Sequence, residues 1–191
     1  MQKMLLHSCC GPCSSAVLER LIPDYEVTVL YYNPNIQPEQ EYQKRKAEQL
    51  RLIKEAYSQV SVLDCDYDAQ TFIECIKGLE KEKEGGARCK VCFTLRLEKC
   101  ARMAKENGFD IFATTLSVSP YKNAELINQI GQELSNKYDI AYLVSDFKKK
   151  NGYLRSLELA KQYNLYRQNY CGCMYSYYEA ESYRKEKQNK K

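Results

Sequence analysis

The chain has no tryptophan and a single histidine, His7, in 191 residues. With one imidazole, a histidine-rich metal site is excluded, and any metal centre must rest on thiolates and carboxylates. No stretch approaches the roughly 20 apolar residues of a membrane span, so no membrane partner is expected. The opening MQKMLLHSCC lacks the long apolar segment of a secretory signal, which points to a cytoplasmic protein. Nor does one sign of charge dominate. A net charge of +4 permits an anionic partner without demanding one.

Cysteine and tyrosine are abundant instead, at ten and 17. Ten cysteines in a secreted chain would suggest a disulfide framework. In a chain without an export signal, cysteines in close groups read as metal ligands or redox groups. The hydrophobic fraction of 44% and charged fraction of 28% are ordinary for a soluble domain. The length suits a single α/β domain over residues 1–183, with a polar tail over 184–191.

Short β-branched or aromatic runs alternate with helical patterns. Expected strands are KMLLHS, EVTVLYY, VSVLD, DIFATT and IAYLVSD. Between them lie a helix from Ser15, a long polar-rich helix after Pro38, a short helix whose face carries Ala69, Phe72, Ile73 and Ile76, and a helix starting near Cys92. Further helices are expected over about Ala124 to Lys137, around Ser156 to Tyr163, and at the C-terminal end. This alternation predicts a doubly wound parallel sheet in three layers. Its active crevice should lie at the carboxyl edge of the strands, where the strand order reverses. With order 3-2-1-4-5, the loops CCGPC and TTLSVSPYK are neighbours there.

Seven cysteines fall in three loop-associated groups: Cys9, Cys10 and Cys13; Cys89 and Cys92; Cys171 and Cys173. Two C-x-x-C pairs and a C-G-C together predict a metal site, with Gly11 and Gly172 allowing close backbone approach. Cys65, Cys75 and Cys100 read as structural. A thioredoxin-like dithiol at Cys10 and Cys13 leaves five grouped cysteines unexplained, and the tryptophan that commonly flanks that motif is missing. A zinc-binding nucleic-acid module stays open, although four thiolates close a tetrahedron and seven are present. Adjacent side chains at Cys9 and Cys10 should diverge. A four-cysteine cluster beside a second site of up to three cysteines fits the count.

The stretches HSCCGPCSS, YYNPNIQPEQEYQKR, CKVCFTLRLE, ATTLSVSPYKN, SDFKKKNGYLRSLELAK and LYRQNYCGCMYS resemble the QueH-type epoxyqueuosine reductases, in order and over nearly the whole chain. The resemblance implies a Rossmann-like fold of the adenine-nucleotide-hydrolase type. It implies an oxidoreductase that reduces the epoxide of epoxyqueuosine, at the wobble position of a tRNA anticodon loop, to the alkene of queuosine. It also implies a [4Fe–4S] cluster with additional iron nearby, no cobalamin, and an external electron donor. On that basis the expected cluster ligands are Cys10, Cys89, Cys92 and Cys171, with Cys9, Cys13 and Cys173 at the second metal or its rim. Tyr121, Asp146, Tyr153 and His7 are the candidate proton donors. Asn33, Asn35, Lys122, Lys148, Arg155 and Arg167 are candidates for contacting the RNA. Arg88, Arg96 or Arg155 would offset the negative charge of the cluster.

Overall fold

The computed structural model describes residues 1–188. Five parallel strands form one sheet in the order β3-β2-β1-β4-β5. They are β1 (Gln2–His7), β2 (Tyr25–Tyr31), β3 (Ser61–Asp64), β4 (Ile111–Thr114) and β5 (Ala141–Tyr142). Helices α1 (Gly11–Leu21), α2 (Glu39–Ala56) and α6 (Gly152–Gln162), with α4 (Ala87–Glu106) and α5 (Ala124–Tyr138), supply the crossovers and cover. Short α3 (Ala69–Cys75) and C-terminal α7 (Met174–Gln188) complete the set. The expected strand order and layering are those observed.

The pleat sorts the core into two layers. On one face Met4, Leu6, Val27, Val29, Ile111 and Ala113 pack with Val17, Leu18, Leu52, Ile53 and Ala160 of α1, α2 and α6. On the other, Leu5, Leu30 and Phe112 meet Leu97, Cys100, Ala104, Ile127 and Ile130 of α4 and α5. Strand β1 is central, pairing Leu6 with both Val29 and Ala113. Met4 to His7 are wholly buried there. Both faces of a central parallel strand are covered, so it reads as a continuous apolar run.

Several boundaries differ from expectation. Helix α1 starts at Gly11 with Pro12 in its first turn, where the missing N–H costs nothing. Helix α4 starts at Ala87, so Cys89 and Cys92 lie on a helix rather than in a turn. Strand β5 has two residues instead of seven. Beyond it, the side chain of Asn128 takes the place of a strand partner. Asn128 Oδ1 accepts from Ser145 N–H and its Nδ2 donates to Ser145 O. Ile73 is exposed on α3, whereas Phe72 and Ile76 are buried. Of the polar stretch over 184–191, residues 184–188 continue α7, and 189–191 lie outside the described residues.

Candidate metal centre and its cavity

Loop 8–10 leaves the central strand and is pinned from below. Ser8 Oγ and Ser14 Oγ both donate to Gln49 Oε1 at 2.7 Å, and Ser14 Oγ also lies against Cys10 O at 2.8 Å. All three side chains are fully buried. This polar knot fixes the loop, and Cys13 follows in the first turn of α1. The sulfurs of Cys9, Cys10 and Cys13 lie within 4.8 Å of one another, a spacing that suits one metal ion. Cys9 Sγ and Cys10 Sγ are 3.8 Å apart, so these adjacent side chains converge rather than diverge.

The triad ionises unequally. Hydrogen bonds from Cys10 and then Cys13 hold the Cys9 thiol well below its usual range, against the opposing effect of burial. At Cys10, the bond with Cys13 favours the thiolate. The bond to Cys9 and burial outweigh it and leave Cys10 at about 12. Cys13 is pushed up by the bonds to Cys10 and Cys9. Cys9 is therefore the first of the three to carry charge. Cys10 Sγ also accepts a hydrogen bond from Gln168 Nε2 at 3.2 Å.

The second thiol group forms where α4 meets the C-terminal loop. Cys89 and Cys92 are three apart on α4 and share a helix face. Burial raises both, Cys92 to about 12, and the nearby Cys171 and Cys173 push each in the same direction. Gly85 N–H donates to Cys89 Sγ at 3.1 Å. Phe72 and Ile76 pack over Cys92 and Cys173. Gly172 is required between the two loop cysteines. Its φ is +154°, and a Cβ there would sit 2.8 Å from Asn35 Nδ2. Gly11 needs no such freedom, since its nearest neighbour would be Glu48 O at 3.5 Å.

Two cations stand between the groups, one wholly buried and one, Lys122, half-buried. Arg96 is wholly buried, donates Nε–H to Cys92 O at 3.2 Å, and has no partner for Nη2. Burial alone would lower its pKa, but the thiols of Cys92, Cys171, Cys9 and Cys89 hold it above the usual value. Lys122 behaves the same way, with Cys171, Cys9 and Cys13 overcoming burial. Among the described residues neither cation pairs with a carboxylate within 4.0 Å. An unpaired buried cation is costly, so this arrangement suits a site that carries thiolate charge. Spatially the seven cysteines divide into three and four. Cys10 lies with Cys9 and Cys13, and Cys173 lies with Cys92.

A cavity of about 670 Å³ opens over this centre, with Cys13, Cys171, Lys122, Tyr121, Tyr153 and Arg167 in its lining. Four of the sequence-derived candidates outside the cysteines therefore meet at one place. The others lie elsewhere. His7 is fully buried, and its ring nitrogens are taken by Thr114 Oγ1 at 3.0 Å and Tyr32 O at 3.1 Å. The Tyr32 carbonyl can only accept, so the neutral ring carries its proton on Nε2 and Nδ1 accepts from the Thr114 hydroxyl. Burial first, then Arg96, lowers His7 to about 3.

Asn33 and Asn35 are buried, and Asn33 Nδ2 donates to Ser8 O at 2.8 Å. Asn33 supports the loop, whereas Asn35 packs against Gly172 with its Oδ1 unpartnered. Asp146 pairs with Lys148 at 2.8 Å, and Arg155 with Glu19 and Glu158 at 2.8 and 2.9 Å. Cys100 is buried and Cys65 lies 3.9 Å from Met103 Sδ, but Cys75 is exposed. A larger recess of about 790 Å³ near Cys65 contains none of the seven grouped cysteines.

Sequence reasoning missed Arg45. It donates Nη1–H to Cys171 O at 2.9 Å, Nη2–H to Tyr170 O at 3.2 Å and Nε–H to Glu41 at 2.7 Å. The signal was a helical stripe on α2, where Tyr42, Arg45, Gln49 and Leu52 share the buried face. Polar members of such a stripe need specific partners.

Fold and site together define a parallel α/β protein with a thiol-rich centre at the carboxyl edge of its sheet. The family model described as "Epoxyqueuosine reductase QueH" matches residues 4–179. A Streptococcus pyogenes protein named Epoxyqueuosine reductase QueH is 44% identical over 177 residues, covering 91% of this chain and 69% of its own length. One of the same name from Staphylococcus epidermidis is 42% identical over 180 residues, covering 91% and 76%. The chain belongs to the QueH family. A crystal structure of a predicted subunit of tRNA methyltransferase from Methanocaldococcus jannaschii overlays with a TM-score of 0.49 at 18% identity, over 83% of this chain and 76% of that one. Among the described residues no helix is long and apolar enough to cross a membrane.

Proposed function

We propose that this chain is an epoxyqueuosine reductase acting on tRNA, and that its grouped cysteines hold the redox metal centre. The observation that carries the metal reading is Arg96. Its buried, partly unpartnered guanidinium is flanked by Cys92, Cys171, Cys9 and Cys89. Following the spatial division, Cys89, Cys92, Cys171 and Cys173 are assigned to a [4Fe–4S] cluster, with Cys173 in place of the expected Cys10. Cys9, Cys10 and Cys13 are left for an additional iron. Such a cluster supplies electrons singly, and an iron beside it polarises an epoxide oxygen.

Opening the epoxide to an alkene breaks two C–O bonds, consumes two electrons and two protons, and releases water. The electrons come from an external donor. The chain's own groups bind, orient and protonate. Of the two candidate proton donors that line the cavity, Tyr121 is exposed and Tyr153 is half-buried, so the role falls to Tyr153. The Lys122 ammonium, held charged by the thiols, faces the same space and stabilises developing negative charge on the leaving oxygen. Exposed Arg167 contacts RNA phosphate, which makes binding salt-dependent.

The test is anaerobic incubation with a chemical reductant and an RNA stem-loop bearing epoxyqueuosine, followed by mass analysis of the nucleosides. The expected product is lighter by one oxygen atom. An unchanged nucleoside, with protein retaining iron and sulfide, contradicts the reading.

A further inference from the structure

We propose that Tyr121 and Tyr183 form a base-stacking rim on the cavity, which makes the site select a loop-presented RNA base over the free nucleoside. This deepens the reductase reading and rests on it. Tyr121 follows the turn after β4 and is 84% exposed; Tyr183 lies on α7 and is 59% exposed. Both line the cavity that contains Cys13 and Cys171. Two rings from separate elements thus border one cavity, and neither has an aromatic partner within the described residues.

Their exposure has no use in packing. Tyrosine rings placed at a site are normally buried or hydrogen-bonded. A flat exposed ring at the mouth of a site suits the face of a nucleobase, and single-stranded RNA is read in this way. Charge supports the same partner. Lys187 Nζ lies 4.7 Å from the Tyr183 ring centroid. Arg167 lines the cavity and forms no ion pair among the described residues. Aromatic faces beside free cations match a strand of stacked bases and phosphates. The cavity takes the reacting nucleoside, and the rim takes bases next to it in the loop. A free nucleoside reaches the cavity but has nothing to place on the rim.

The experiment uses the whole metal-loaded chain with two substrates, an RNA stem-loop bearing epoxyqueuosine and the free epoxyqueuosine nucleoside. The measured quantity is the ratio of their kcat/KM values. Binding of a fluorescent stem-loop is followed separately by anisotropy. The wild type should favour the stem-loop. Tyr121→Ala and Tyr183→Ala should each reduce that ratio, and weaken stem-loop binding, by about tenfold. Tyr121→Phe and Tyr183→Phe should retain both, because stacking needs the ring and not the hydroxyl. Tyr178→Ala is the control, since that residue is 61% exposed but lies outside the cavity lining.

An unchanged ratio in both alanine variants overturns the rim, as does a wild type with no preference for the stem-loop. A phenylalanine variant that fails like its alanine counterpart overturns stacking in favour of a hydroxyl contact. If neither substrate is reduced, the reductase reading fails, and the anisotropy series still decides the rim.

Discussion

Arginine is seldom fully buried, yet Arg45, Arg88 and Arg96 are the three largest fully buried side chains of this protein. Each stands close to a grouped cysteine. Arg88 reaches Glu179 at 3.0 Å and lies 4.8 Å from the Tyr175 ring. Arg96 and Lys122 form no ion pair among the described residues, and the thiols hold both charged. His7 carries the opposite lesson, because burial keeps it neutral. Its pKa falls from 6.5 to about 3 in the folded chain. Below pH 6.5 the unfolded chain takes up a proton that the folded chain refuses. The stabilisation is therefore complete above pH 6.5 and is lost as pH falls towards 3. Between pH 6.5 and 5 that loss amounts to about 2 kcal/mol. As the only histidine, His7 dominates this window. Urea unfolding of wild type and His7→Gln at pH 7 and pH 5 checks this, and the variant should show a much flatter dependence. Equal slopes would remove His7 as the cause.

At the scale of elements, the loop carrying Cys171 and Cys173 is held from outside its own sequence. Arg45 grips the carbonyls of Tyr170 and Cys171, Gln37 N–H donates to Gly172 O at 2.9 Å, and Tyr170 Oη donates to Gln37 O at 2.6 Å. Helix α2 and the loop before it therefore set where these thiols point. Arg45→Ala leaves the largely buried Glu41 with the Tyr166 hydroxyl but no cation and frees two carbonyls, and should cost about 3 kcal/mol in urea unfolding. Arg45→Lys keeps the charge but loses the planar fork. It should remain folded, with a smaller stability loss, and bind less iron per chain than the wild type. Full iron in Arg45→Lys would show that the clamp does not position the ligands.

The same scale shows what was readable from sequence. The groups HSCCGPC, CKVC and YCGC announce a metal site because their spacing is local. That α4 begins at Ala87 was hidden, since the charged run EKEKEGGAR carries no side-chain cap. Arg45 was hidden because its partners are 125 and 126 residues away. His7 and Asn33 were misread as facing the crevice. Both sit at the carboxyl edge, but their side chains turn inward to Thr114 and to Ser8. Periodicity places a residue on an element and leaves long-range partners undetermined.

For the whole molecule, the strand order was legible because alternating strands and helices, with right-handed crossovers, leave few topologies. That order brings the loops after β1 and β4 together, and α4 and the C-terminal loop complete the thiol site. These cysteines are proposed as the ligands of an iron–sulfur redox centre. The most direct test is iron, zinc and acid-labile sulfide per chain on protein purified without oxygen. About four sulfides with four or more irons are expected. Sulfide should be lost in Cys92→Ser and retained in Cys75→Ser. Zinc without sulfide, or full sulfide in Cys92→Ser, would contradict this assignment.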